Sequence, residues 1–147
     1  MEAELALIEA IRTPDDVMKT VARHQIIGGS PVFSFVVYQD EMNSEKVVAH
    51  LYQGGLGLPD RDYYFKTETR FVNYRAEYLK HISAMLQLIG EDANTADADA
   101  LKMMTLETAM AKVSKTVEDM RDSYANYHKM KLDDCNKLTP GINWNDM

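Results

Sequence analysis

Two apolar stripes at helical spacing, separated by a short polar link, constrain this chain more than any other feature. In "TETRFVNYRAEYLKHISAMLQLIG", Phe71, Tyr74, Tyr78, Ile82, Met85 and Ile89 follow one another at intervals of three or four residues. That is the period of one helix face. Val72, Leu79 and Leu86 widen the stripe, and Gly90 is a natural stop just past the helix end. In "NTADADALKMMTLETAMAKVSKTVEDMRD" the same period links Ala100, Met103, Leu106, Met110, Val113 and Val117, with Asn94 or Thr95 available as the cap. The spacing predicts helices over about 67–90 and about 95–118. So short a link makes the two helices antiparallel neighbours. The chain holds ten methionines, and their helical spacing assigns them to filling irregular cores rather than to a metal or cofactor.

Upstream the period changes. "VFSFVVYQ" places Phe33, Phe35 and Val37 on one face, and "KVVAHLYQ" does the same with Val47, Ala49 and Leu51. Alternation of this kind, with the polar "DEMNSE" between the runs, predicts a β-hairpin over about 32–53. A lone hairpin is marginal in water and must pack on something. Before it, Leu5, Ile8 and Ile11 sit at near-helical spacing. "TPDD" then starts a helix to about residue 27: Thr13 as cap, Pro14 in the first position, Asp15 and Asp16 in the first turn. "GGSP" stops it. After the long helices, a shorter helix ends near Leu138 at "TPG", and the single tryptophan, Trp144, follows. The fold class expected is mainly α, antiparallel helices with one β-hairpin.

A chain of 147 residues suits one domain. Net charge is 16 − 23 = −7, which argues against nucleic acid or anionic membrane as a partner. The negative charge is dispersed and reads as solvated helix faces. The single cysteine, Cys135, permits neither an internal disulfide nor a cysteine zinc cluster. No run approaches the roughly 18 apolar residues of a membrane-spanning helix. The amino terminus, "MEAELALIEAIR", is acidic and amphipathic, unlike a secretory signal.

No catalytic constellation stands out. His24, His50, His81 and His128 are scattered, and none opens an H-E-x-x-H helix. Gly54, Gly55 and Gly57 fit neither nucleotide-binding glycine pattern. Asp99 and Glu107 on the second long helix are unspecific. The densest patch is "QGGLGLPDRDYYF", residues 53–65. Its local chemistry is that of a corner. Gly54 and Gly55 leave the hairpin, and Leu56 and Leu58 anchor a turn. Gly57 permits a backbone angle other residues avoid. Pro59 stops the extended chain, Asp60 caps a short helical turn, and Asp62 lies near its positive end. Arg61 pairs with an acid or reaches a neighbouring element. Tyr63 and Tyr64 bury their rings with hydroxyls bonded.

"GGLGLPDRDYYF" also resembles the signature of the neprilysin-like zinc metallopeptidases, peptidase family M13, in their amino-terminal domain. The hairpin, with Asp40, Asn43 and Ser44 in its connection, is similar to that family's hairpin. "LETAMAKVSKTVEDMRDSYANYHKM" resembles its L-E-x-x-[LM]-A helix and the segment after it, through Leu106, Glu107, Met110, Ala111, Arg121, Asp122 and Tyr127. "LTPGINW" resembles the close of the same region.

That resemblance implies that residues 1–147 are a fragment of the non-catalytic helical cap of a larger zinc endopeptidase cleaving oligopeptides. It implies zinc in the parent enzyme and none in this fragment, whose sequence lacks the H-E-x-x-H motif. The implied partners are the catalytic domain of the same parent chain and the oligopeptide substrates of the parent, with self-association of the fragment. The parent is expected to be secreted, periplasmic or at the cell surface, with the cytoplasm as the alternative. Gly57, Pro59, Arg61, Asp62 and Tyr63 are then scaffold, Arg61 alone keeping the option of clamping a peptide carboxylate. The competing reading is a stand-alone helical protein-interaction module. A small enzyme built on Asp60, Arg61 and Asp62 is the weakest of the three.

Overall fold

The computed structural model describes residues 2–146. The chain divides into two compact units, one built from residues 1–54 and 124–147, the other from residues 55–123. The fold is mainly α with one two-stranded antiparallel sheet.

The first unit opens with α1 (Glu2–Glu9) and α2 (Pro14–Ile26). α2 starts on a reciprocal capping box. The Thr13 side chain accepts the Asp16 N–H, and the Asp16 carboxylate accepts the Thr13 N–H at 3.0 Å. Pro14 occupies the first turn, as the sequence predicts. β1 (Phe33–Asp40) and β2 (Asn43–Gln53) then pair antiparallel, from Phe33↔Gln53 to Asp40↔Asn43. The turn is only Glu41–Met42, so Asn43 and Ser44 lie in β2 rather than in a loop. An irregularity between Gln39 and Asp40 absorbs the unequal strand lengths.

The expected helix ending near Leu138 is instead two short ones, α6 (Ser123–Asn126) and α7 (Leu132–Leu138). The segment between them is extended onto the hairpin turn. Tyr127 Oη donates to Asp40 at 2.8 Å, and Lys129 pairs with the same carboxylate. The Trp144 ring lies 5.7 Å from Phe33, and its Nε1–H donates to Thr139 Oγ1 at 2.6 Å.

The second unit holds α3 (Asp62–Phe65), α4 (Thr69–Leu88) and α5 (Ala93–Val113). α4 ends in a Schellman turn. Gly90 takes φ +113°, Glu91 N–H donates to Leu86 O at 3.2 Å, and Gly90 N–H donates to Gln87 O at 3.0 Å. The cap of α5 is Asp92, not Asn94 or Thr95. Its carboxylate accepts the N–H groups of those two residues at 3.1 and 3.2 Å. α5 stops at Val113, short of the expected 118. Ser114 is extended, and Thr116 captures the chain by accepting the Asp119 N–H at 3.0 Å, a local bond that competes with helix continuation.

The helix pair does not meet along the expected stripes throughout. α4 buries Phe71 and Ile82 as predicted, together with Ser83, while Tyr74 and Met85 stay exposed. On α5 the buried residues are Ala96, Ala100 and Ala111. Met103, Leu106 and Val113, larger and more apolar, face outward, with Leu106 63% and Val113 86% exposed. The seam is therefore made of small residues, whose lack of bulk lets two backbones approach closely. Across it Ser83 Oγ donates to Asp97 at 2.5 Å and Tyr78 Oη to Glu107 at 2.9 Å.

Candidate functional site

The motif residues of the second unit converge on Glu107, a half-buried acid on the seam face of α5. Its carboxylate accepts three hydrogen bonds. Tyr64 Oη donates to Oε2 at 2.5 Å, Tyr78 Oη to Oε1 at 2.9 Å, and the Gly57 N–H to Oε2 at 3.2 Å. Tyr64 Oη also accepts the Leu58 N–H at 3.1 Å. One carboxylate thus binds the loop, α3 and α4 to α5. Leu58, Tyr64 and Ala111 form the buried cluster beneath, with Leu56, Tyr63, Tyr78 and Met104 packed around it.

Gly57 has no unusual φ, contrary to the conformational reading of it; the positive angles fall at Gly28, Gly55 and Gly90. Gly57 is glycine for want of space. A Cβ there would lie 1.7 Å from Tyr78 Oη and 2.5 Å from its Cζ. Pro59 is exposed on the turn. The cap position of α3 falls to Arg61 rather than Asp60, but Asp60 still ties the entry, its carboxylate accepting the Asp62 N–H at 2.8 Å and its carbonyl the Tyr63 N–H. Asp62 pairs with Lys66 one turn on, at 2.7 Å. Arg61 turns to α5, where Nε donates to the Ala111 carbonyl at 3.3 Å, and its guanidinium lies 5.6 Å from the Phe65 ring centre. Tyr63 packs edge-on against Phe71, ring centres 5.1 Å apart, and against Tyr74 at 5.5 Å.

Sequence reading passed over two residues. Glu107 looked unspecific because its partners lie 29 to 50 positions away; only its place in the L-E-x-x-[LM]-A string marked it. Arg75, on α4, donates to the Tyr63 carbonyl at 2.6 Å and the Lys66 carbonyl at 3.0 Å, closing the end of α3. No local pattern announces it.

The electrostatics suit a permanent tie. Burial pushes the Tyr64 hydroxyl above the ordinary phenol range, and the bond to Glu107 adds to it, because a phenolate beside that carboxylate would be repelled. The same causes raise Tyr78 to about 12. Both phenols stay protonated donors at neutral pH. A group so firmly protonated and already bonded is poorly placed to exchange a proton with a substrate.

Among the described residues no three His, Cys, Asp or Glu side chains gather to hold an ion.

Known proteins carry the same chain pattern. A family model for the amino-terminal part of Peptidase family M13 matches residues 1–147. Endothelin-converting enzyme 1 of Cavia porcellus is 37% identical over 131 residues, covering 88% of this chain and 17% of that protein. Neprilysin-3 of Drosophila melanogaster is 31% identical over 115 residues, covering 78% of this chain and 15% of that one. The zinc metalloprotease of Mycobacterium tuberculosis, solved in its open state, superposes with a TM-score of 0.90 at 25% identity, over 99% of this chain and 22% of that chain. Its complex with an inhibitor gives 0.91.

The fold of the chain is that of part of a zinc metalloprotease. This chain belongs to Peptidase family M13. It spans about a sixth of the length of the curated relatives it matches.

Proposed function

We propose that these 147 residues are part of the non-catalytic cap of a zinc-dependent endopeptidase that cleaves oligopeptides. The cap covers the catalytic half and sets which peptides reach it, since closing over a site excludes water and selects for size. The observation that carries this reading is the match along the whole chain to much longer peptidases. The internal use of the motif supports it. Gly57, Arg61, Asp62 and Tyr63 are occupied with neighbours in their own unit, and Pro59 shapes the turn between them. In this reading all five are scaffold, and Arg61 holds a helix end rather than a substrate carboxylate. The parent works outside the cytoplasm, in the envelope, at the surface or secreted, and cell fractionation tests that placement.

Two measurements test the core of the reading. The coding sequence downstream of Met147 should encode H-E-x-x-H within a few hundred residues; a stop codon at that point would favour a stand-alone interaction module. The purified 147-residue chain should neither bind stoichiometric zinc nor cleave peptides, and doing both would defeat the cap assignment. The exposed apolar side chains also lead us to expect self-association of the isolated chain. Light scattering at increasing concentration should show it, and a clean monomer throughout would count against it.

A further inference from the structure

The helix pair leaves one broad apolar face uncovered. At about 100° per residue, Met85, Tyr74 and Leu88 of α4 fall about 40° to 100° to one side of the Phe71–Tyr78–Ile82 seam. Met103, Leu106 and Val113 of α5 fall in the same sense, by about 50° to 130°, from the Ala96–Ala100–Ala111 seam. Two antiparallel helices that face each other are related by a two-fold axis perpendicular to both. Rotation from the seam in the same sense therefore brings the two lines onto one face of the pair. All six side chains are exposed. The helices have 20 and 21 residues, so each runs about 30 Å.

We propose that this face is the docking surface for a further amphipathic helix of the same polypeptide, from the part outside these 147 residues. The inference rests on the reading that the chain belongs to a longer peptidase. Three observations select the occupant. The two apolar lines keep helical spacing and flank the groove of an antiparallel pair, the shape into which a third helix packs. The core beneath is thin, since the fully buried residues of α5 are alanines and Met103, Leu106 and Val113 point outward. A layer so exposed on one side is completed by another layer. Finally, the same fold occurs in a chain of which it makes up only 22%, so most of the polypeptide available to cover it lies elsewhere in the sequence.

The test is cysteine labelling in a Cys135→Ser background, comparing the full-length gene product with the 147-residue chain held dilute enough to be monomeric. Leu106→Cys and Val113→Cys are the probes, and Lys80→Cys, on the outer side of α4, is the reference. In the 147-residue chain all three should label at similar rates. In the full-length protein Leu106→Cys and Val113→Cys should label at least about tenfold more slowly, as buried sites reached only by local opening do. Equal labelling in both proteins overturns the inference and leaves the cap reading standing. Protection that appears in the full-length protein only as concentration rises assigns the face to a second copy and also overturns it. A gene that ends at Met147 removes both the inference and the reading on which it rests. Circular dichroism of each variant checks that the probes have not unfolded the chain.

Discussion

Two carboxylates, one in each unit, organise this chain, and they do it by opposite means. Asp40, the last residue of β1, is 2% exposed and takes a cation. Lys129 pairs with it, the Met42 N–H donates to it at 3.0 Å and Tyr127 Oη at 2.8 Å. Glu107 takes only neutral donors: two phenols and one backbone N–H. The first is a clasp that depends on charge. The second is a polar knot set on an apolar cluster, where the geometry of the donors matters more than any counter-ion. The difference teaches that a family signature rich in charge need not mark a chemical site. Its acid can be the point on which a corner is tied.

The comparison breaks most severely at Glu107. Glu107→Ala leaves both hydroxyls and the Gly57 N–H without their acceptor. At about 1–3 kcal/mol per buried donor left unmade, and with Gly57 partly solvated, the loss should reach about 3 kcal/mol in urea unfolding. Amide exchange should show the loosening within residues 55–123. Glu107→Gln, which keeps one acceptor oxygen, should lose about half as much. If both variants unfold like the wild type, Glu107 is not the centre of the knot.

Gly57→Ala comes next. Forcing a methyl into the space of Tyr78 Oη should cost about 2 kcal/mol, within the usual cost of overpacking. Adding Tyr78→Leu should restore part of it, so the double mutant should be more stable than the sum of the single effects by about 1 kcal/mol. Strict additivity would show that the glycine serves something other than that contact.

Acidity and alkalinity should separate the two ties. Asp40 is held down to about 2 from an ordinary 3.8, first by Lys129, then by the Met42 N–H and Tyr127. A folded value below the unfolded one means stabilisation that is full above about 4 and lost as pH falls toward about 2. Tyr78 moves from 10.0 up to about 12, so its contribution is full below 10 and lost as pH rises toward 12. Amide exchange or tyrosine absorbance should show the hairpin turn loosening in acid and the knot loosening in alkali. Asp40→Asn should flatten the acid response alone, and an unchanged acid response would remove the clasp from the account.

The smallest effect belongs to Asp62→Asn. Its pairing with Lys66 is on the surface and solvated, so the unfolding midpoint should not move measurably. A clear loss would give Asp62 a structural weight that its contacts do not explain.

Local chemistry was legible in the sequence, and side-chain partnership across distance was not. Thr13, Pro14 and Asp16 declare a helix start within four residues, and Gly90 declares a stop. The alternation of Phe33, Phe35 and Val37 declares a strand. Each of these is set by neighbours in sequence. The seam of α5 was misread because periodicity cannot distinguish two apolar lines on one helix. Alanine, which permits close approach, won the contact over larger residues that would hold the backbones apart. Glu107 and Arg75 were missed because their partners arrive from other elements, and nothing in a short window encodes that meeting. The reading of Gly57 found the right residue and gave the wrong cause, since a crowded position and a strained one call for the same amino acid.

The first unit is assembled from both ends of the chain, with residues 55–123 intervening. Asp40 and Lys129 are 89 positions apart. At about 5–20 residues per second, a ribosome delivers Lys129 roughly 5–20 s after Asp40. Throughout that delay the carboxylate at the end of β1 lacks its lysine, and the strands have no carboxy-terminal segment to lean on. The helix pair, whose ties all lie within its own stretch, can close in the meantime. Order of synthesis thus permits residues 55–123 to be complete before the residues that pair with Asp40 exist.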